Sequence, residues 1–144
     1  MTKAILLALA VFATHSLAGI AYAQDEHSHD HDQGDAVDFT SLDGGWVALE
    51  GVSAEIQSAI AANNIDALHE LSDELHAVAD SLGKLANEVP QANQLRYTSS
   101  VNQLRTLSDR LHMAHEQGNV AAAQKMAPQL NGVVQLLKVR AEAN

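Results

Sequence analysis

Leu68-His69-Glu70-Leu71-Ser72-Asp73-Glu74-Leu75-His76-Ala77-Val78-Ala79-Asp80-Ser81-Leu82 repeats its apolar residues with the period of a helix. Leu68, Leu71, Leu75, Val78 and Leu82 follow one another at steps of three and four, so they share one helical face, whereas a strand would scatter them over both of its faces. Leu85 extends the seam. Glu88-Val89-Pro90 ends it, because the residue before a proline is driven out of the helical region.

The pattern continues to either side. Upstream, Trp46, Leu49, Ser53, Ile56 and Ile60 form a first seam, with Ser41 or Asp43 as its cap and Asn63-Asn64 as its stop. Trp46, at the head of that helix, reads as a core cap closing one end of a bundle. Downstream, Leu104, Leu107, Leu111 and Ala114 make a third seam that closes at Gly118-Asn119. A fourth carries Val120, Ala123, Ala127, Leu130, Val134 and Leu137, with Pro128 inside it, where a backbone hydrogen bond is lost and a kink is expected. Connections this short make neighbouring helices antiparallel. The expected fold is all-α: an antiparallel up-down-up-down four-helix bundle over residues 41–144. Two longer hairpins pairing between chains as a homodimer satisfy the same seams and stay open as an alternative.

Before the bundle lie two segments of different character. Residues 1–23 carry Lys3, an apolar run from Ala4 to Ala13 and the small-x-small pattern Ala21-Tyr22-Ala23, which reads as a signal peptide and predicts export to the periplasm. That run is too short to span a bilayer, and no later stretch is free of charge for long enough, so no membrane span is expected in the mature chain. Residues 24–40 read as a disordered, acidic, His-rich segment. Asp25, Glu26, Asp30, Asp32, Asp35 and Asp38 repel one another there, with no Lys or Arg among them.

Charge and composition exclude several functions. The chain carries a formal net charge of −10 and no cysteine. That charge, with no basic cluster and few aromatics, disfavours nucleic acid, and the small charged partner it favours is a cation. Without cysteine there is no disulfide, thiolate metal site or covalent haem. Non-covalent haem is not expected either, since the fourth helix has no histidine and Met113 sits on a flank. Neither a nucleophile motif nor a phosphate-cradling glycine loop is present, so no enzyme is expected.

The histidines carry the chemistry, in two groups. His27, His29 and His31 alternate with Ser28, Asp30 and Asp32, and alternate side chains on a flexible chain converge readily on one ion. Imidazole with carboxylate suits divalent Zn, Ni, Co or Cu. A solvated polar tail is the plainer reading. On the helices, His69, Asp73 and His76, with Glu70 beside them, share a face of the second, and Asp109, His112, His115 and Glu116 do much the same on the third. With Leu68, Leu75 and Leu82 as a core column, His69 and His76 fall on the bundle's flank and Asp73 on the outer surface, while His115 lies nearer the core. A site built from them bridges the flanks of the second and third helices; otherwise they are ordinary boundary histidines. The motif Leu71-Ser72-Asp73-Glu74-Leu75-His76 recurs as Leu107-Ser108-Asp109-Arg110-Leu111-His112, and Asn64-Ile65-Asp66-Ala67 resembles Asn119-Val120-Ala121-Ala122; these matches support the hairpin reading but run at different offsets and define no clean duplication.

Trp46 leading the first helix, Ala67-Leu68-His69-Glu70 opening the second, and the late turn Leu111-His112-Met113-Ala114-His115-Glu116-Gln117-Gly118-Asn119 together resemble a group of small periplasmic helical-bundle proteins of Gram-negative bacteria. Those proteins look like companions of heavy-metal efflux systems, often with His- and Asp-rich N-termini. The resemblance implies metal handling and an efflux component as partner, and it supplies no ligand set. Two functions are thus carried forward: a periplasmic divalent-metal buffer accessory to efflux, and an envelope protein-interaction or chaperone-like module with no metal role.

Overall fold

Ser41 opens the first helix as the sequence expects, its hydroxyl accepting the Gly44 N–H at 3.3 Å. The computed structural model describes Val37 and residues 39–142. The expected signal peptide, and His27, His29, Asp30, His31 and Asp32 of the segment after it, lie outside the described residues.

Among the described residues the chain is all-helical: α1 (Leu42–Ala61), α2 (Leu68–Lys84), a 3-10 turn (Ala86–Glu88), α3 (Gln94–Glu116) and α4 (Val120–Glu142), with no strand. None of these helices is long and apolar enough to cross a membrane.

Two of the breaks use the same device. After α1, Asn63 adopts a φ of 54°, and after α3, Gly118 adopts a φ of 58°, the left-handed turn that ends many helices. Each turn returns the next amide to the helix just left: Asn64 N–H to the Ala59 carbonyl at 2.9 Å, and Asn119 N–H to the Ala114 carbonyl at 2.8 Å. The side chains of Asn64 and Asn119 then tie down the start of the next segment, Asn64 Oδ1 accepting from Ala67 N–H and Asn119 Oδ1 from Ala122 N–H. Between α2 and α3 the 3-10 turn and Pro90 make the connection, and the buried Tyr97 hydroxyl donates to the Leu82 carbonyl at 3.1 Å.

Each helix packs on its successor, and α1 packs on α4, around one apolar core. The seams read from sequence supply it: Leu49, Ile56, Leu68, Leu75, Leu82, Leu104, Leu111, Leu130 and Leu137 are all buried. Tyr97 and Val101, which the third seam omits, are buried in the turns ahead of Leu104, and the Tyr97 ring meets Trp46 edge to face at 6.4 Å. Pro128 lies on an exposed face of α4, and the helix runs through it to Glu142. Packing also begins earlier than the expected boundary at residue 41. Val37 and Phe39 lie half-buried against the core, and the Val37 carbonyl accepts the Ser81 hydroxyl at 2.9 Å. The reason is chemical: these two side chains are apolar, unlike the acidic ones before them, and have a core to join.

Candidate metal centre on the α2–α3 seam

A residue one step beyond the core column of an amphipathic helix lands on the seam with the neighbouring helix. His69, Asp73 and His76 on α2 and Asp109, His112 and His115 on α3 lie along such a flank, and the pairs between the helices show it. Asp73 meets His112, His76 meets Asp109, and Asp80 meets Arg105. Numbers rise along α2 as they fall along α3.

His69, Asp73 and His112 come together at the end of the seam near the α3–α4 turn. One ligand atom from each lies within 4.8 Å of the others. Donors in a tetrahedral zinc shell stand about 3.3 Å apart, given metal–ligand distances near 2.0–2.1 Å. Closing on an ion therefore takes side-chain movement of roughly 1.5 Å, within reach of half-exposed side chains on fixed backbones. The His69 and His112 rings are 4.9 Å apart between centroids, and the His69 and His115 rings 5.2 Å.

The neighbours of these rings determine where their protons sit. The Ser72 hydroxyl donates to the His69 carbonyl at 2.8 Å, which leaves its oxygen as an acceptor toward His112 Nδ1 at 3.4 Å. Asp73 Oδ1, also an acceptor, lies 3.4 Å from the same nitrogen, and Glu116 Oε1 lies 3.7 Å from Nε2. His112 is thus held between two carboxylates, one at each nitrogen. A metal at one nitrogen leaves the other N–H facing a carboxylate, the arrangement that orients a ligating imidazole and raises its basicity. His115 is oriented by the main chain: its Nδ1 lies 3.1 Å from the Ile65 carbonyl, which fixes the hydrogen there and leaves the Nε2 lone pair free.

His76 and Asp109 do not join this group. They pair with each other at 3.5 Å farther along the seam, where His76 Nε2 also lies 3.9 Å from Asp80 Oδ2. Asp73, placed on the outer surface by its register, is exposed yet reaches His112 across the seam, because a residue on the flank of α2 overhangs α3. The sequence pattern alone did not single out Ser72, Ser108, Asp80 and Arg105. Ser72 and Ser108 are buried hydroxyls, and their place in the recurring Leu-Ser-Asp motif was the available signal.

Comparison with known proteins returns no matching family model, no matching curated protein and no matching solved structure.

Proposed function

We propose that this chain is a periplasmic divalent-metal binding or buffering protein, accessory to heavy-metal efflux, whose bundle runs up-down-up-down and binds one transition-metal ion between α2 and α3. His69, Asp73 and His112 supply three donors, with His115 or water as the fourth and Glu116 holding the second nitrogen of His112. The convergence of those three side chains from two helices is the observation that carries the reading. Imidazole with carboxylate selects borderline ions such as Zn, Ni, Co or Cu over Mg and Ca. The formal charge of −10 raises the local concentration of any cation. His27, His29 and His31, with Asp30 and Asp32, form a capture segment after the signal peptide. Donors fixed on helices bind an ion more tightly than donors on a chain that must become ordered around it.

Isothermal titration of Zn, Ni and Cu(II) tests this with three proteins: the natural chain, one carrying His27→Ala, His29→Ala and His31→Ala, and one carrying His69→Ala and His112→Ala. The tail substitutions are expected to leave about one ion per chain, and the helix substitutions to remove that tighter event. Affinities no better than millimolar throughout, about 4 kcal/mol of binding free energy, would end the metal reading and turn attention to protein partners.

A further inference from the structure

The α2–α3 seam is built twice. Ser108 stands 36 positions after Ser72, and the same spacing relates Leu68 to Leu104, Leu71 to Leu107, Asp73 to Asp109, Leu75 to Leu111, His76 to His112 and Asp80 to Glu116. The two copies face each other, so each motif's serine and aspartate meet the other motif's histidine. His112 Nδ1 lies 3.4 Å from Ser72 Oγ and 3.4 Å from Asp73, and His76 Nδ1 lies 3.5 Å from Ser108 Oγ and 3.5 Å from Asp109. The far nitrogens match as well: His112 Nε2 stands 3.7 Å from Glu116, and His76 Nε2 stands 3.9 Å from Asp80. Three contacts at one end thus have three counterparts at the other, and the seam has two equivalent poles.

Besides the exchange of Glu116 for Asp80, one carboxylate for another, the poles differ at two positions that bear on a cation. Where the first has His69, the second has Arg105; where the first has His115, the second has Ala79. Arg105 is firmly seated. Its Nε donates to Asp80 Oδ1 at 2.6 Å and its Nη1 to Asn102 Oδ1 at 2.8 Å. Gly83 leaves room for it, since a Cβ there would stand 2.9 Å from Arg105 Nη2. The guanidinium keeps its charge at all physiological pH and has no lone pair to offer a metal. It neutralises the carboxylate that faces His76 Nε2.

We infer that Arg105 is a built-in cation closing the second of two equivalent histidine–carboxylate poles, so that metal enters only at the His69 end and the bundle binds one ion rather than two. This rests on the metal reading above and deepens it: position 69 or 105 decides, at each pole, between an external and an internal cation.

The test is stoichiometry, read by Co(II) absorption in the ligand-field region and by zinc titration. All proteins carry His27→Ala, His29→Ala and His31→Ala so that the tail does not contribute. The background protein is expected to bind one ion, and addition of Arg105→His to bring the count to two, with the second ion lost again on addition of His76→Ala. The reciprocal His69→Arg variant is expected to bind none. Helicity by circular dichroism checks that each variant is folded, and the reciprocal variant gives an independent answer should Arg105→His unfold. Arg105→His remaining at one ion, with the background also at one, overturns the inference and leaves the metal reading standing. A background that binds two ions overturns it too. A background that binds none removes the His69 site itself; one ion gained by Arg105→His then supports the role of Arg105 alone, and no gain overturns it.

Discussion

The α1–α4 and α2–α3 seams both carry polar side chains across a helix pair, and they carry them differently. Along α1–α4 the partners complete one another: Gln57 pairs with Asn131 and Asn63 with Gln124, amide to amide, while Glu50 pairs with Lys138. Each of these pairs brings a donor to an acceptor. Along α2–α3 the partners of the carboxylates are imidazoles, with Arg105 at the far end, and at the His69 end Asp73, Glu116, His69 and His112 include no permanent cation. The α1–α4 pairs bond to one another, whereas the His69 end of α2–α3 is rich in acceptors and lone pairs. Flank positions of similar geometry thus differ in what they offer according to residue type, and the acceptor-rich seam is the one on which the metal proposal rests.

The largest effect expected from breaking this contrast is thermal. With the three tail histidines replaced by alanine, zinc at a hundredfold excess over its Kd should stabilise the fold by about 2.7 kcal/mol, a rise in Tm on the order of 10 °C for a domain of this size. His69→Ala with His112→Ala should abolish that rise. Gln57→Ala with Asn131→Ala should keep it, although the starting Tm is lower. Differential scanning fluorimetry with and without zinc reads all three.

A smaller effect belongs to the apolar end of the α2–α3 seam. Burial pushes the Tyr97 phenol well above its ordinary value, and the charge of Glu88 adds to the shift. Because the fold favours the neutral phenol, this stabilisation is fully present below the ordinary tyrosine value near 10 and is lost as pH rises beyond it. Tm should therefore fall from about pH 10 upward. Tyr97→Phe should cost about 1 kcal/mol at neutral pH, through the lost bond to the Leu82 carbonyl, and should flatten the alkaline decline. Thermal melts at a series of alkaline pH values measure both.

Much of the fold was legible because it rests on period and punctuation. The leucine columns gave four helices, and Asn63-Asn64, Pro90 and Gly118-Asn119 gave the breaks, since each residue has a local backbone reason to stand where it does. Tyr97 was not legible. Its burial depends on the depth at which α3 passes Trp46 and on a carbonyl of another helix, neither of which periodicity encodes. The candidate metal centre was legible in part. Spacing placed His69 on the flank, Asp73 on the outer surface and His115 nearer the core, but one heptad step separates the group that converges from the His76–Asp109 pair that does not. Relative helix stagger decides that, and the stagger comes from packing across the core. Arg105 escaped notice for a related reason: its meaning comes from being the counterpart of His69 across the two facing motifs.

X-ray absorption at the zinc edge, on zinc-loaded protein lacking the three tail histidines, tests the central claim most directly. A shell of nitrogen and oxygen near 2.0 Å, with the outer-shell scattering of at least two imidazoles and its loss in the His69→Ala, His112→Ala variant, is the predicted result. A shell of oxygen alone, or one unchanged by those two substitutions, would contradict it.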